Sequence, residues 1–67
     1  MNAKEILKIL KRNGFYEVRQ TGSHIRLSNG IKNTTVAYHG KKDIPIRTVK
    51  SIEKQTGVKL IGKQQII

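Results

Sequence analysis

Hydrophobic residues recur at helical spacing near both ends of the chain, which indicates two amphipathic helices. Residues 3–13 carry one apolar stripe, and the lysines of this segment lie mostly off it. Residues 46–56 repeat the same spacing. Each segment is followed by a glycine and a hydrophobic residue, a common way for helices to end. We therefore predict two helices with one buried side each, formed by Ala3, Ile6, Leu7 and Leu10 in the first and by Ile46, Val49 and Ile52 in the second.

Hydrophobic and polar residues alternate between the two predicted helices, and this pattern is typical of strands. A threonine and a glycine interrupt the alternation at residues 21–22, and Asn29-Gly30 is a strong signal for a hairpin turn. Short turns between consecutive strands favour antiparallel pairing. The pattern predicts three antiparallel strands, at residues 15–20, 23–28 and 33–39.

The order of helix, three strands and helix predicts an α+β fold. Neither helix has a second apolar side, so both must cover one face of a three-stranded antiparallel sheet and leave the other face in solvent. This arrangement resembles the fold of double-stranded-RNA-binding domains. We expect the 67 residues to form one domain, with residues 59–67 as an extended or flexible tail that could add an edge strand.

The alternation also assigns the strand residues to the two faces of the sheet. The predicted inward residues are Tyr16, Val18, Ile25, Leu27, Val36 and Tyr38. Their neighbours point outward, among them Glu17 in the first strand. The open face then gathers two histidines and two arginines, namely Arg19, His24, Arg26 and His39. Each histidine could be an ordinary exposed polar residue, but imidazole and guanidinium groups together on a flat face are poorly explained by packing.

Positive charge dominates the composition. The chain carries 14 Lys and Arg residues against 4 Asp and Glu residues, so its formal net charge is +10. A basic excess of this size repels itself and is usually kept for a polyanionic partner. Nucleic acid is favoured over an anionic membrane, because the first helix is short and lacks the Trp- and Phe-rich side of membrane-surface helices. A solvated basic surface without a partner is the plain alternative.

The sequence contains no cysteine, which rules out disulfides and thiolate metal ligands. Small secreted domains usually depend on disulfides, so this composition favours the reducing cytosol. No apolar run is long enough for a signal peptide or a membrane span. We expect a cytoplasmic protein without a membrane partner.

RNA is a polyanion that carries its own nucleophile, the 2′-OH of ribose. A protein that cleaves it needs to supply little more than acid–base catalysis and charge stabilisation. A histidine changes charge near neutral pH and is suited to proton transfer. Arg19 and Arg26 could hold the scissile phosphate and oppose the charge that develops on it. Two histidines without thiolates or convergent carboxylates leave a zinc site short of ligands, so we expect no metal and no cofactor.

Several stretches of the chain carry a resemblance to a known family. Gly14-Phe15 followed by Arg19-Gln20-Thr21-Gly22-Ser23-His24 resembles the "GF…RQ.GSH" signature of HicA-type mRNA interferase toxins. Residues 35–40 are similar to the family's "TVPxH" stretch, with Ala37 in place of the proline, and residues 47–57 are similar to its "TLRSILKQAG" helix ending. The resemblance implies a fold like that of double-stranded-RNA-binding domains, RNA cleavage with His24 as the catalytic histidine, and inhibition by a cognate HicB-type antitoxin.

The residues and the resemblance together predict a metal-independent endoribonuclease toxin with His24 as general acid or base. We expect the remaining RNA contacts from Arg19, Gly22, Ser23, Arg26, His39, Lys41, Lys42 and Arg47. Gly22 has no Cβ and could admit the RNA backbone, although a turn alone also explains a glycine there. Two alternatives stay open, a non-catalytic RNA-binding module of the same fold and a basic adaptor for an acidic protein.

Overall fold

Two helices and three strands follow one another in the predicted order. The computed structural model describes residues 1–61. Helix α1 is followed by a three-stranded antiparallel sheet of strand order β1-β2-β3 and then by helix α2, which confirms the α+β architecture. The elements are α1 (Ala3–Arg12), β1 (Tyr16–Thr21), β2 (His24–Ser28), β3 (Asn33–Ala37) and α2 (Ile46–Thr56).

Helix α1 begins at a capping box that sequence analysis did not predict. The Asn2 side chain accepts a hydrogen bond from the Glu5 N–H at 3.0 Å, and the Glu5 carboxylate accepts one from the Asn2 N–H at 2.9 Å. These bonds satisfy N–H groups that have no partner within the helix. The helix ends one residue earlier than predicted, and Gly14 follows with φ +89°. Phe15 then packs back as expected, because its N–H bonds to the Leu10 carbonyl at 3.0 Å and its side chain is buried.

Two tight turns connect the strands. Gly22 is the first of two turn residues between β1 and β2, and its φ of +59° lies in the region that favours glycine. The turn between β2 and β3 is centred on residues 30 and 31. Asn29 supports this turn with its side-chain oxygen, which accepts hydrogen bonds from the N–H groups of Ile31 and Lys32 at 2.9 and 2.6 Å.

One face of the sheet carries the hydrophobic core. On β2 and β3 the buried side chains alternate with more exposed ones, as expected for strands that are covered on one face only. Both helices contribute buried residues to the same cluster, so both cover the same face, and the other face is open. The buried cluster consists of Ala3, Ile6, Leu7, Leu10, Phe15, Ile25, Leu27, Val36, Val49, Ile52 and Leu60.

Strand β1 departs from the predicted alternation. The register pairs Glu17 with Leu27 and then Arg19 with Arg26, so Val18 is an extra residue that forms a bulge. Because of this extra residue, the residues before the bulge point to the opposite face of the sheet from the one predicted by simple alternation. Tyr16 therefore lies on the open face, whereas the inward position was predicted. Glu17 was predicted to point outward and lies on the helix side instead.

The exposures of these side chains agree with this correction. Tyr16 and Val18 are 54% and 56% exposed, because β1 is an edge strand that neither helix covers fully. The Glu17 carboxylate contacts the Lys11 amino group of α1 at 2.9 Å. A bulge changes the phase of a strand without changing its composition, so the hydrophobic pattern alone did not show it.

Two further predictions of burial were wrong. Ile46 is 62% exposed, because α2 begins here and its first turn projects beyond the core. Tyr38 is 37% exposed, because β3 ends at Ala37 instead of continuing to His39. The bounds of α2 agree with the predicted helix, and Gly57 ends it with φ +75°.

The chain after α2 is held against that helix. Leu60 is 1% exposed and belongs to the core. The Glu53 carboxylate accepts hydrogen bonds from the N–H groups of Leu60 and Ile61 at 2.6 and 2.7 Å. These bonds, with that from Ile61 the stronger contributor, hold the pKa of Glu53 below its usual value. The rest of the predicted tail, residues 62–67, lies outside the described residues.

Candidate nucleic-acid interface

His24 opens strand β2, directly after the turn formed by Gly22 and Ser23. Its backbone partners are Thr21 on β1 and Ala37 on β3, so it lies on the central strand of the sheet. Its neighbour Ile25 is buried on the helix side, and alternation therefore directs His24 to the open face, where it is exposed. This position gives a large ligand access to the imidazole from the solvent side.

The turn before His24 explains why residue 22 is a glycine. Its positive φ is disfavoured for residues with a side chain, and no atom lies within 4 Å of where a Cβ would stand. Glycine is therefore required by the backbone conformation of the turn, and not by crowding from a neighbouring atom. The Gln20 side chain braces the turn by donating a hydrogen bond to the Gly22 carbonyl at 3.1 Å.

Arg19 and Arg26 lie directly opposite each other on neighbouring strands. Directly paired residues point to the same face with Cα atoms about 4.5–5.5 Å apart, and like charges in this arrangement repel each other. The salt bridges among residues 1–61 join the N-terminal amino group to Asp43 and Lys11 to Glu17, so neither arginine has a carboxylate partner there. An anion between the two guanidinium groups would relieve the repulsion.

Arg26 also shares its strand and its face with His24. The Cα atoms of residues two positions apart along a strand, such as His24 and Arg26, are about 7 Å apart. One nucleotide can bridge this distance. The structure thus brings together three of the predicted site residues, Arg19, His24 and Arg26, on one exposed surface. We call these three residues the open-face triad.

His39 lies outside the open-face triad. It follows the end of β3 by two residues, in a segment that is still joined to β2 by the Tyr38 N–H, which donates to the Ser23 carbonyl at 2.6 Å. His39 lines an open cavity of about 210 Å³ together with Ala37 and Pro45. Because Ala37 is the partner of His24, this cavity begins on the strand next to the triad.

The other predicted contacts are divided between two places. Lys41 and Lys42 are exposed in the loop after His39, and a turn joins the Lys42 N–H to the His39 carbonyl at 3.3 Å. Arg47 is exposed in the first turn of α2, on the helix-covered side of the sheet. The two lysines therefore extend the basic surface beyond the end of β3, whereas Arg47 is separated from the triad by the sheet.

One candidate residue was missed by sequence analysis. Tyr16 pairs with Ser28 and shares the open face with the triad, where more than half of its surface is exposed. Exposed aromatic rings beside basic residues are common platforms for stacking of nucleic-acid bases. The β1 bulge hid this residue, because an unbroken alternation assigns Tyr16 to the core.

No group of three or more His, Asp or Glu side chains comes together as a metal site within residues 1–61. The same part of the chain contains no helix that is long and apolar enough to cross a membrane.

Comparison with known families supplies the context for this surface. Residues 3–58 match the family described as the HicA toxin of bacterial toxin-antitoxin systems. The chain belongs to the HicA toxin family. A comparison with curated proteins finds no significant match. The family match runs from the start of α1 to two residues beyond α2, so it contains the whole sheet and the open-face triad.

Family membership makes this chain a toxin of a toxin–antitoxin system, which implies an antitoxin partner. It also confirms the resemblance that the Gly-Ser-His element and the second helix suggested.

Proposed function

We propose that this HicA toxin is an endoribonuclease that cuts mRNA without a metal ion, with His24 as the group that transfers a proton. The observation that supports this proposal best is the open-face triad, in which an exposed histidine shares one face with two directly opposed arginines. Neither packing nor a salt bridge within residues 1–61 accounts for the arginine pair. A phosphodiester complements these groups in charge.

The proposed reaction uses the ribose as nucleophile. The 2′-oxygen attacks the neighbouring phosphorus, the bond from phosphorus to the 5′-oxygen breaks, and a 2′,3′-cyclic phosphate and a 5′-hydroxyl are formed. One proton leaves the 2′-OH and one reaches the 5′-oxygen. His24 transfers one of these protons, a contribution typically of about 10²–10⁴-fold. Arg19 and Arg26 hold the phosphate and stabilise the negative charge that grows on its oxygens.

The surfaces around the triad suggest how RNA is held. Tyr16 offers a ring for a base on the β1 side of the open face. Lys41 and Lys42 would contact phosphates beyond the end of β3, and His39 lies between them and the triad. Single-stranded RNA suits such a surface, because its bases are free to stack while its backbone follows the positive charge.

Inhibition by a HicB-type antitoxin is part of the proposal. Nothing within residues 1–61 covers the open face, which leaves that face accessible to an inhibiting partner. An acidic surface placed over the triad would exclude RNA, and its charge would speed association with a toxin of net charge +10. A cytoplasmic location is part of the same proposal, because mRNA is translated there.

Replacement of His24 by alanine tests the proposal most directly. His24→Ala should reduce cleavage of RNA by about 10²–10⁴-fold, because proton transfer is lost. The stability of this variant should stay within about 0.5 kcal/mol of the parent, because the residue is exposed. RNA affinity should change little. Cleavage by the parent should survive excess EDTA, and a DNA copy of the substrate should be left intact.

His39→Ala is the matched comparison for this experiment. We expect it to weaken RNA binding while cleavage at saturating RNA continues. The same loss of cleavage in both variants would mean that the two histidines work as a pair. Full cleavage by a folded His24→Ala protein would refute the assignment of His24.

The second candidate is a non-catalytic RNA-binding module, in which His24 contacts ribose or phosphate. The observation that favours it is that the open-face triad contains one histidine, since cleavage needs one group to remove a proton and another to supply one. Incubation of the purified protein with RNA separates the two functions, because only the enzyme produces fragments with cyclic phosphate ends.

A further inference from the structure

We propose that the outer edge of β3 is the docking site for an extended acidic segment of the antitoxin, which adds to the sheet as a fourth strand. This inference rests on the toxin–antitoxin function and adds the surface and the mode of binding. The backbone register, the composition of β3 and the charges around it support it.

The register shows which backbone groups are free. The N–H of Asn29 bonds to the carbonyl of Lys32, and the N–H of Tyr38 bonds to the carbonyl of Ser23. In an antiparallel pair, hydrogen-bonded and non-hydrogen-bonded pairs alternate between such points. The residues that direct their N–H and C=O groups away from β2 are therefore Asn33, Thr35 and Ala37. No other strand within residues 1–61 pairs with them.

The two edges of the sheet differ in how well they are protected. Strand β1 contains a bulge and two charged residues, Glu17 and Arg19, which are common means of preventing further pairing. Strand β3 has the sequence NTTVA, without a bulge, a proline or a charge. In a chain with 14 basic residues, five uncharged residues in succession at an exposed edge leave that edge ready for another strand.

The charges around β3 select the occupant. Lys32 precedes the strand and Lys41 and Lys42 follow it, so both ends of an added strand would meet basic side chains. An open polar groove of about 300 Å³ lies at the same edge and is lined by Arg26, Asn33, Thr34, Thr35 and Gln55. Acidic side chains complement these basic and polar surroundings. A second copy of the chain does not, because each copy carries a net charge of +10.

Such docking would connect binding with inhibition. A strand paired with β3 lies about 10 Å from β2, since neighbouring strands are about 4.8 Å apart. Its side chains on the open side would reach toward Arg26, and the body of the antitoxin would stand where RNA has to approach His24. Main-chain hydrogen bonds would supply affinity, and the acidic side chains would supply specificity.

Thr35→Pro tests the backbone contact with little effect on the toxin's own sheet. The Thr35 N–H points outward, and proline is tolerated in edge strands at such positions. Thr35→Val is the matched control, because it changes the side chain but keeps the N–H. In complexes of the full chain with its antitoxin, measured by calorimetry, Thr35→Pro should weaken binding by about tenfold or more, since hydrogen bonds across the edge are lost. Thr35→Val should stay within about threefold of the parent, as expected for a peripheral side-chain change.

Amide hydrogen exchange of the unaltered proteins gives a second, independent measurement. The amides of Asn33, Thr35 and Ala37 should exchange fast in the free toxin and become protected in the complex. The amides of Thr34 and Val36 should be protected in both. Unchanged exchange at the three outer amides in a formed complex, or protection of them already in the free toxin, would overturn the inference. Protection by RNA instead of antitoxin would also overturn it.

These measurements do not depend on cleavage of RNA. If the protein fails to cut RNA but the outer amides become protected by antitoxin, the proposed enzyme activity is wrong and the docking site stands. If RNA is cut, but Thr35→Pro binds the antitoxin as tightly as the parent and the antitoxin does not slow exchange of the outer amides, the docking site is wrong and the enzyme activity stands.

Discussion

Along strand β2, neighbouring residues belong to two different parts of the protein. Ile25 and Leu27 are 6% and 0% exposed and pack beneath the helices, whereas His24 and Arg26 face solvent. The helix side is closely packed and apolar, and its residues stabilise the fold. The open side carries His24, the two opposed arginines and the proposed chemistry. Substitutions one residue apart should therefore affect either stability or activity, with little overlap.

The largest difference in stability is expected between Leu27→Ala and Arg26→Ala. Removal of a fully buried leucine side chain should lower the free energy of unfolding by about 2–5 kcal/mol, because transfer energy is lost and a cavity remains. Arg26→Ala should change it by about 0.5 kcal/mol or less, as is usual on the surface. Urea denaturation measures both values. Arg26→Ala should instead weaken the proposed contact with the scissile phosphate and slow the proposed RNA cleavage.

A large stability loss in Arg26→Ala would contradict the separation of the two faces. It would mean that the arginine supports the sheet, for instance by covering the neighbouring strand with its aliphatic part.

The same comparison between two valines should show a smaller difference. Val36 on β3 is 0% exposed, whereas Val18 in the β1 bulge is 56% exposed. Val36→Ala should cost roughly 2 kcal/mol, from about 0.8 kcal/mol for each buried methylene group and a small cavity. Val18→Ala should cost less than about 0.5 kcal/mol. Thermal unfolding of the two variants checks the observed register. Equal losses would place Val18 in the core, as the hydrophobic pattern first predicted.

The smallest effect is expected from Glu53, on the helix side, and it depends on pH. Hydrogen bonds from Ile61 and Leu60 lower the pKa of Glu53 in the folded protein below its usual value of 4.5. The carboxylate therefore stabilises the fold above pH 4.5, and this contribution is lost as the pH falls through the folded-state pKa. Glu53→Gln should cost about 1 kcal/mol at neutral pH, because one charged acceptor becomes neutral.

Unfolding experiments between pH 7 and pH 3 measure this effect, and the parent's advantage over Glu53→Gln should shrink as the pH falls below 4.5. Glu5→Gln is a useful control, because Glu5 accepts a backbone hydrogen bond at the exposed start of α1. A constant difference between parent and Glu53→Gln at all pH values would show that the charge of Glu53 does not hold the chain after α2.

The local sequence was sufficient to predict those features that depend only on a short segment of the chain. The apolar stripe of α1, the bounds of α2 and the strict alternation from His24 to Leu27 all indicated the observed structure, because helical and strand periods are visible within a few residues. The glycines at 22 and 57 marked a turn and a helix end, since their positive φ angles are disfavoured for other residues. Family membership could also be anticipated, because the Gly-Ser-His element lies within a nearly chain-long resemblance.

The tertiary structure alone decided what depends on partners distant in the chain. The bulge in β1, which moves Tyr16 to the open face, arises from pairing with β2 and has no signature in the composition of residues 16–21. Burial of Leu60 depends on the core cluster to which it belongs, and exposure of Ile46 depends on where that core ends. The opposed arginines and the free edge of β3 likewise result from register. Periodicity reports which face a residue takes within its own element, whereas its neighbours across the sheet are determined only when the chain has folded.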